Sequence, residues 1–159
     1  MAVGIEILTK AGELGLCSTC HKVLEVLCSE TDSDSIHVAS NAGFRNRVNL
    51  ARHLAKNGLP PVSERRDWIR ALEWLEEWEA MHHSLSRQAY DHEKEPSVYY
   101  RTIVRITGLP WRRVKELGLR DLVRRFESVL ANNRCSDGGP RGGTGSLNQL
   151  PEPRAIGPP

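Results

Sequence analysis

No stretch of this sequence approaches the roughly 18 consecutive apolar residues that a membrane helix requires, and the mean hydropathy is negative. Met1 to Lys10 lack a basic start followed by an apolar run, so the N-terminus does not read as a secretory signal. A cytoplasmic protein without a membrane partner is the expectation. Cysteine is sparse: Cys17, Cys20, Cys28 and Cys135 are the four in 159 residues. Without a signal they do not form a disulfide framework, and reduced thiols are expected. Strand-like alternation of apolar and polar residues is missing too, and β-branched residues do not cluster. That leaves an all-α fold. Also missing are a Ser/His/Asp or Cys/His constellation, a phosphate-cradling glycine loop and a metalloprotease motif. No enzyme activity, cofactor or metal is expected.

Two local strings invite chemistry. Cys17-x-x-Cys20-His21 matches the attachment motif of c-type haem, but that attachment needs export. A zinc site would need two more ligands, and Cys28 with His37 is poorly spaced for a tetrahedral set. The two thiols read as an incidental pair near a poorly ordered N-terminus. The other string, His82-His83, falls at the end of a long helix, where cationic side chains favour the dipole.

Charge is unevenly spread. Residues 1 to 34 carry two Lys against six acids, whereas residues 35 to 130 carry seventeen Lys or Arg against twelve acids. A basic centre behind an acidic leader suits an anionic partner. Residues 138 to 159 hold six Gly and five Pro in twenty-two positions, with little to bury, and read as a disordered tail.

Between leader and tail, six or seven helices are expected. Val23 to Leu27 make a short one, and Ser35 opens a second that Asn41-Ala42-Gly43 stops. A third spans Asn46 to Asn57, with Val48, Leu50, Ala51 and Leu54 toward the core; Gly58 ends it and Pro60-Pro61 forbids resumption. Ser63 is the expected cap of a helix of some 18 residues to about His82. Trp68, Ile69, Leu72, Leu75 and Trp74 or Trp78 form its apolar stripe, while Glu73, Glu76, Glu77 and Glu79 take the remaining face. The tryptophans there read as core. Ser84 caps Leu85 to Tyr90, Pro96 opens a helix through Val98, Tyr99, Tyr100, Ile103, Val104 and Ile106 to Thr107, and a last helix covers Asp121 to Leu130.

An internal repeat organises these helices. Gly58-Leu59-Pro60 recurs as Gly108-Leu109-Pro110, fifty residues on. At that offset Val48 meets Val98, Leu50 meets Tyr100 and Leu54 meets Val104, and Val38-Ala39 before one turn is echoed by Gln88-Ala89 before another. A doubled helix–turn–helix–Gly-Leu-Pro unit resembles the DNA-binding domain of the bacterial AraC/XylS regulators. The resemblance rests on Val38-Ala39-x-x-Ala42-Gly43-Phe44 with the helix ending at Gly58, and on Leu85 to Ala89 with Ser97 to Arg105 leading into Thr107-Gly108-Leu109-Pro110. It covers about 105 residues, Val23 to Leu130. The second unit departs from it, offering Asp91-His92-Glu93 where the family has a Gly-Phe turn.

The resemblance implies two helix-turn-helix subdomains joined by a long linker helix, binding specific double-stranded DNA to regulate transcription, with RNA polymerase a further partner. It divides the chain into a leader (1–22), a tandem DNA-binding domain (23–131) and a tail (132–159), with no small-molecule effector domain evident. On the first recognition helix Arg45, Asn46, Arg47, Asn49, Arg52 and His53 are expected at the DNA, with Lys56 beside them and no acid from Gly43 to Gly58. Arg matches guanine and Asn matches adenine in a bidentate way. On the second, Ser97, Tyr99, Arg101, Thr102 and Arg105 hold comparable positions, and Arg112, Arg113 and Lys115 suit backbone phosphates, as do Arg120, Arg124 and Arg125. The alternative is a helical protein-interaction or adaptor module that does not bind DNA and engages a partner through Glu73 to Glu79.

Overall fold

A computed structural model describes residues 2–131, and these are all-α, with no strand among them. Nine helices follow one another: α1 (Ala2–Glu13), α2 (Ser18–Ser29), α3 (Ser35–Asn41), α4 (Arg47–Lys56), α5 (Val62–Met81), α6 (Leu85–Asp91), α7 (Pro96–Thr107), α8 (Trp111–Leu117) and α9 (Leu119–Ala131). The Gly/Pro-rich tail, expected to be disordered, lies outside the described residues. None of the helices is long and apolar enough to cross a membrane.

Two elements exceed the expected six or seven. Residues 2–13 form α1, whose Val3, Ile7 and Ala11 are buried at four-residue spacing and line one face of a helix. That face packs on α2, α5 and α9, so the segment read as a leader is part of the bundle. The other is α8, where Trp111 and Val114 are buried behind the Pro110 cap position. The third difference is a boundary: α5 starts at Val62 with Pro61 in the N-cap position, and Ser63 lies inside the first turn.

The twenty-residue α5 is the element the others share, touching α1, α2, α6, α7 and α9. Its Trp68, Ile69, Leu72 and Leu75 are buried as the stripe predicts, together with Trp74. Trp74 stacks on Tyr99 of α7 at 3.9 Å between ring centroids, and Trp68 on Phe126 of α9 at 5.6 Å. Stacked aromatic pairs typically contribute about 1 kcal/mol beyond the area they bury. Arg65 and Asp67, by contrast, are polar residues carried inward on the same helix.

The glutamates of α5 make bonds to other parts of the chain. Glu73 accepts from the Thr31 hydroxyl at 2.7 Å, Glu76 from the Val3 amide at 3.3 Å, and Glu79 from the Leu119 amide at 2.8 Å. Glu77 pairs with His83 at 3.0 Å. These carboxylates hold the α2–α3 loop, the start of α1 and the start of α9 onto the long helix. Burial pushes the Glu73 carboxyl above the usual carboxylate range, with the Thr31 hydrogen bond opposing it. The α5 end itself is closed by His82 in left-handed backbone (φ +56°), its amide donating to the Trp78 carbonyl.

Candidate nucleic-acid interface

Two helix pairs, α3–α4 and α6–α7, are built to the same backbone plan. Asp34 caps α3 by accepting from the Ile36 and His37 amides, and Ser84, fifty residues on, caps α6 by accepting from the Arg87 amide. The Asp34 carboxyl is held below its ordinary range, chiefly by the His37 amide. At the far end of α3 the Gly43 amide donates to the Ser40 carbonyl and the Phe44 amide to the Ala39 carbonyl. Glu93 to Tyr90 and Lys94 to Ala89 repeat both bonds at the same offset and within 0.1 Å of the same lengths. Gly43 has φ +84° and Glu93 has φ +55°. A glutamate therefore takes, in the second turn, the left-handed conformation that a glycine takes in the first. The Gly58 and Gly108 backbones match as well, both at φ +69°.

The register then slips by one residue. Asn46 caps α4, but Glu95 holds the cap position of α7, a spacing of 49. One residue turns a helix by about 100°, so the buried faces correspond at 49: Leu50 and Leu54 on α4, Tyr99 and Ile103 on α7. This corrects the alignment at fifty. Val48, expected inward, is 49% exposed, and Val98, Tyr100 and Val104 are 45%, 39% and 50% exposed. Ala51 is exposed too.

The same rotation sorts the expected DNA-facing residues. Arg45, Asn46, Arg47, Asn49, Arg52 and Lys56 are exposed, with Arg47 to Lys56 displayed along α4. Asn46 is partly committed, since its side-chain oxygen accepts from the Asn49 amide at 2.9 Å and caps the helix. His53 is half-buried against the Phe44 ring, 5.3 Å between centroids, and acts as packing. On α7, Ser97, Arg101 and Arg105 are exposed, whereas Tyr99 and Thr102 are buried at 7% and 8% exposure and are not surface groups. At the spacing of 49, Arg52 matches Arg101 and Lys56 matches Arg105. Each helix thus presents two cations four residues apart on an exposed face without a carboxylate.

Several of the cations have partners within the chain, Arg101 among them, its Nε donating to the Ser97 carbonyl at 3.2 Å. Arg105 donates to Asp67 of α5 at 2.6 Å, tying α7 to the long helix. On α8, Arg112 and Arg113 both reach Glu116, at 3.2 and 2.6 Å. The Arg113 hydrogen bond is the main reason the Glu116 carboxyl sits below its usual range. Exposed pairs such as these contribute little to stability and exchange readily for other anions. Lys115, expected at a phosphate, lies over the Trp78 ring at 5.1 Å. Arg120, Arg124 and Arg125 are exposed on α9, Arg124 reaching Asp121 at 3.3 Å.

No group of three or more His, Cys, Asp or Glu is gathered for a metal among the described residues. A cavity of about 520 Å³ opens between the α2–α3 loop, α5 and the α6–α7 turn, where the Arg70 guanidinium bonded to Asp32 holds that carboxyl below its ordinary range. Compared with known proteins, the chain matches no family model, no curated protein and no solved structure.

Proposed function

We propose that this protein is a sequence-specific duplex-DNA-binding transcription regulator of the AraC/XylS kind, in which α3–α4 and α6–α7 act as two helix-turn-helix units and α5 is their linker. The observation that carries this reading is the doubled backbone plan. A side-chain cap, the same pair of turn hydrogen bonds and a left-handed residue recur at positions fifty residues apart. Each copy leads into a helix whose outward side carries cations and no acid.

In such a unit the second helix enters the major groove and its outward side chains read base edges, while flanking cations hold phosphates. Arg47, Asn49 and Arg52 of α4 and Ser97 and Arg101 of α7 are then the base-reading candidates. Arg45, Lys56, Arg112 and Arg113 are the phosphate contacts, the last two exchanging Glu116 for DNA. The protein acts without enzymatic chemistry, and RNA polymerase is a proposed further partner.

What favours this reading over the adaptor alternative is that Glu73, Glu76, Glu77 and Glu79, the acids through which an adaptor would engage its partner, each already pair within the chain. A band-shift selection from random duplexes tests the regulator reading. It should enrich a defined sequence, and Arg52→Ala and Arg101→Ala should each weaken binding to it by about tenfold or more. Recovery of unselected sequence, with both variants binding as the parent does, would refute it.

A further inference from the structure

The thiols of Cys17 and Cys20 are placed together by helix geometry. Cys17 is in the N-cap position of α2, with extended backbone (φ −61°, ψ +155°), and Cys20 follows in the third position of the helix. These two positions face each other in any helix, as the reciprocal contact of a capping box shows. Here both carry sulfur, and the two Sγ atoms are 3.0 Å apart. Cys17 is half-buried at the α1–α2 corner and Cys20 is fully buried, so the outer thiol meets solvent and the inner one stands behind it. Two sulfurs at this separation, one half-buried and one behind it, are arranged for sulfur chemistry.

We propose that Cys17 and Cys20 form a thiol–disulfide exchange site that reacts with low-molecular-weight disulfides. The Cys17 thiolate attacks one sulfur of the small disulfide; that S–S bond breaks and one small thiolate leaves, giving a mixed disulfide on Cys17. The Cys20 thiolate then attacks the Cys17 sulfur, and the second small thiolate departs with the bonding pair. Two protein thiols are oxidised, the small disulfide is reduced to two thiols, and the protons released by the cysteines end on them. Closing the bond asks the two sulfurs to approach by about 1 Å. Excess small thiol drives the same steps backward.

Cys28 supplies an internal comparison. It lies on the same helix, eight residues beyond Cys20, about 12 Å away along the axis. It cannot pair with Cys20 while α2 is intact. Burial, its largest influence, pushes its thiol up to about 12, which keeps it protonated and slow.

The test is to equilibrate the full native chain with glutathione disulfide and glutathione, quench with acid, alkylate and map the peptides by mass. The peptide spanning residues 11–22 should become lighter by two hydrogen atoms and escape alkylation, and excess glutathione should restore it. Cys20→Ser should stop at a glutathione adduct on Cys17, and Cys17→Ser should slow capture at residue 20 by about tenfold. The proposal fails if Cys17 and Cys20 stay alkylatable while Cys28 or Cys135 takes the adduct. It fails equally if the linked peptide forms only after denaturation. The wild-type mapping decides the matter whether or not either variant folds.

Discussion

Glu93 occupies left-handed backbone at φ +55°, a conformation that costs a non-glycine residue about 1 kcal/mol or more. Gly43 holds the matching place at φ +84° with open space where a Cβ would point. Substitutions at the two positions therefore report backbone strain with little steric interference. Glu93→Gly should stabilise the fold by about 0.5–1 kcal/mol, and Gly43→Ala should destabilise it by about 1 kcal/mol, both read from urea midpoints at constant slope. In the sequence, Asp91-His92-Glu93 looks unlike Ala42-Gly43-Phe44, and the equivalence of the two turns emerges only from backbone angles and hydrogen bonds.

Cys28 gives the residue scale a pH dependence. Its thiol is raised from the ordinary 9.0 to about 12 in the folded chain, so between these values the folded state holds a proton that the unfolded state has lost. That contribution to stability is complete below about pH 9 and disappears as pH rises toward 12. Denaturation midpoints should fall across that window in the parent and fall less in Cys28→Ala. Equal slopes would mean the thiol is better solvated than its burial indicates.

At the scale of elements, α5 was legible because its apolar stripe and its tryptophans repeat at helical spacing. Trp74→Ala, which removes a ring stacked on Tyr99, should cost about 3–5 kcal/mol and abolish most of the near-ultraviolet dichroism from that pair. Helix α1 was missed because Gly4 and Gly12 dilute its helical signal, although Val3, Ile7 and Ala11 carry the right period. Helix α8 was hidden by its arginines, which drew the reading toward phosphates while Trp111 and Val114 turned inward.

The α7 face was misread for a different reason. Pattern matching at fifty aligned Leu50 with Tyr100, but the loop before α7 is one residue shorter than the loop before α4, and the rotation that follows buries Tyr99 and Thr102. Under the proposed function, Arg105 carries a consequence of this packing. Because it is paired with Asp67, its loss should weaken DNA binding less than loss of Arg101, and Asp67→Asn should bring its contribution closer to that of Arg101. Quantitative band shifts on the three variants would show whether that order holds.

For the whole molecule, DNA binding by two basic helices on one linker has a thermodynamic signature that a protein-binding bundle lacks. Each phosphate neutralised releases counterions, so affinity must fall steeply with salt. The measurement to make is a fluorescence-anisotropy titration of the full chain against duplex DNA at about 50 and 200 mM salt. With about six phosphate contacts, drawn from cations such as Arg45, Lys56, Arg112 and Arg113, binding should weaken roughly a thousandfold over that range. Absence of binding at the lower salt, or an affinity that does not respond to salt, would contradict the assignment of these helix pairs to DNA.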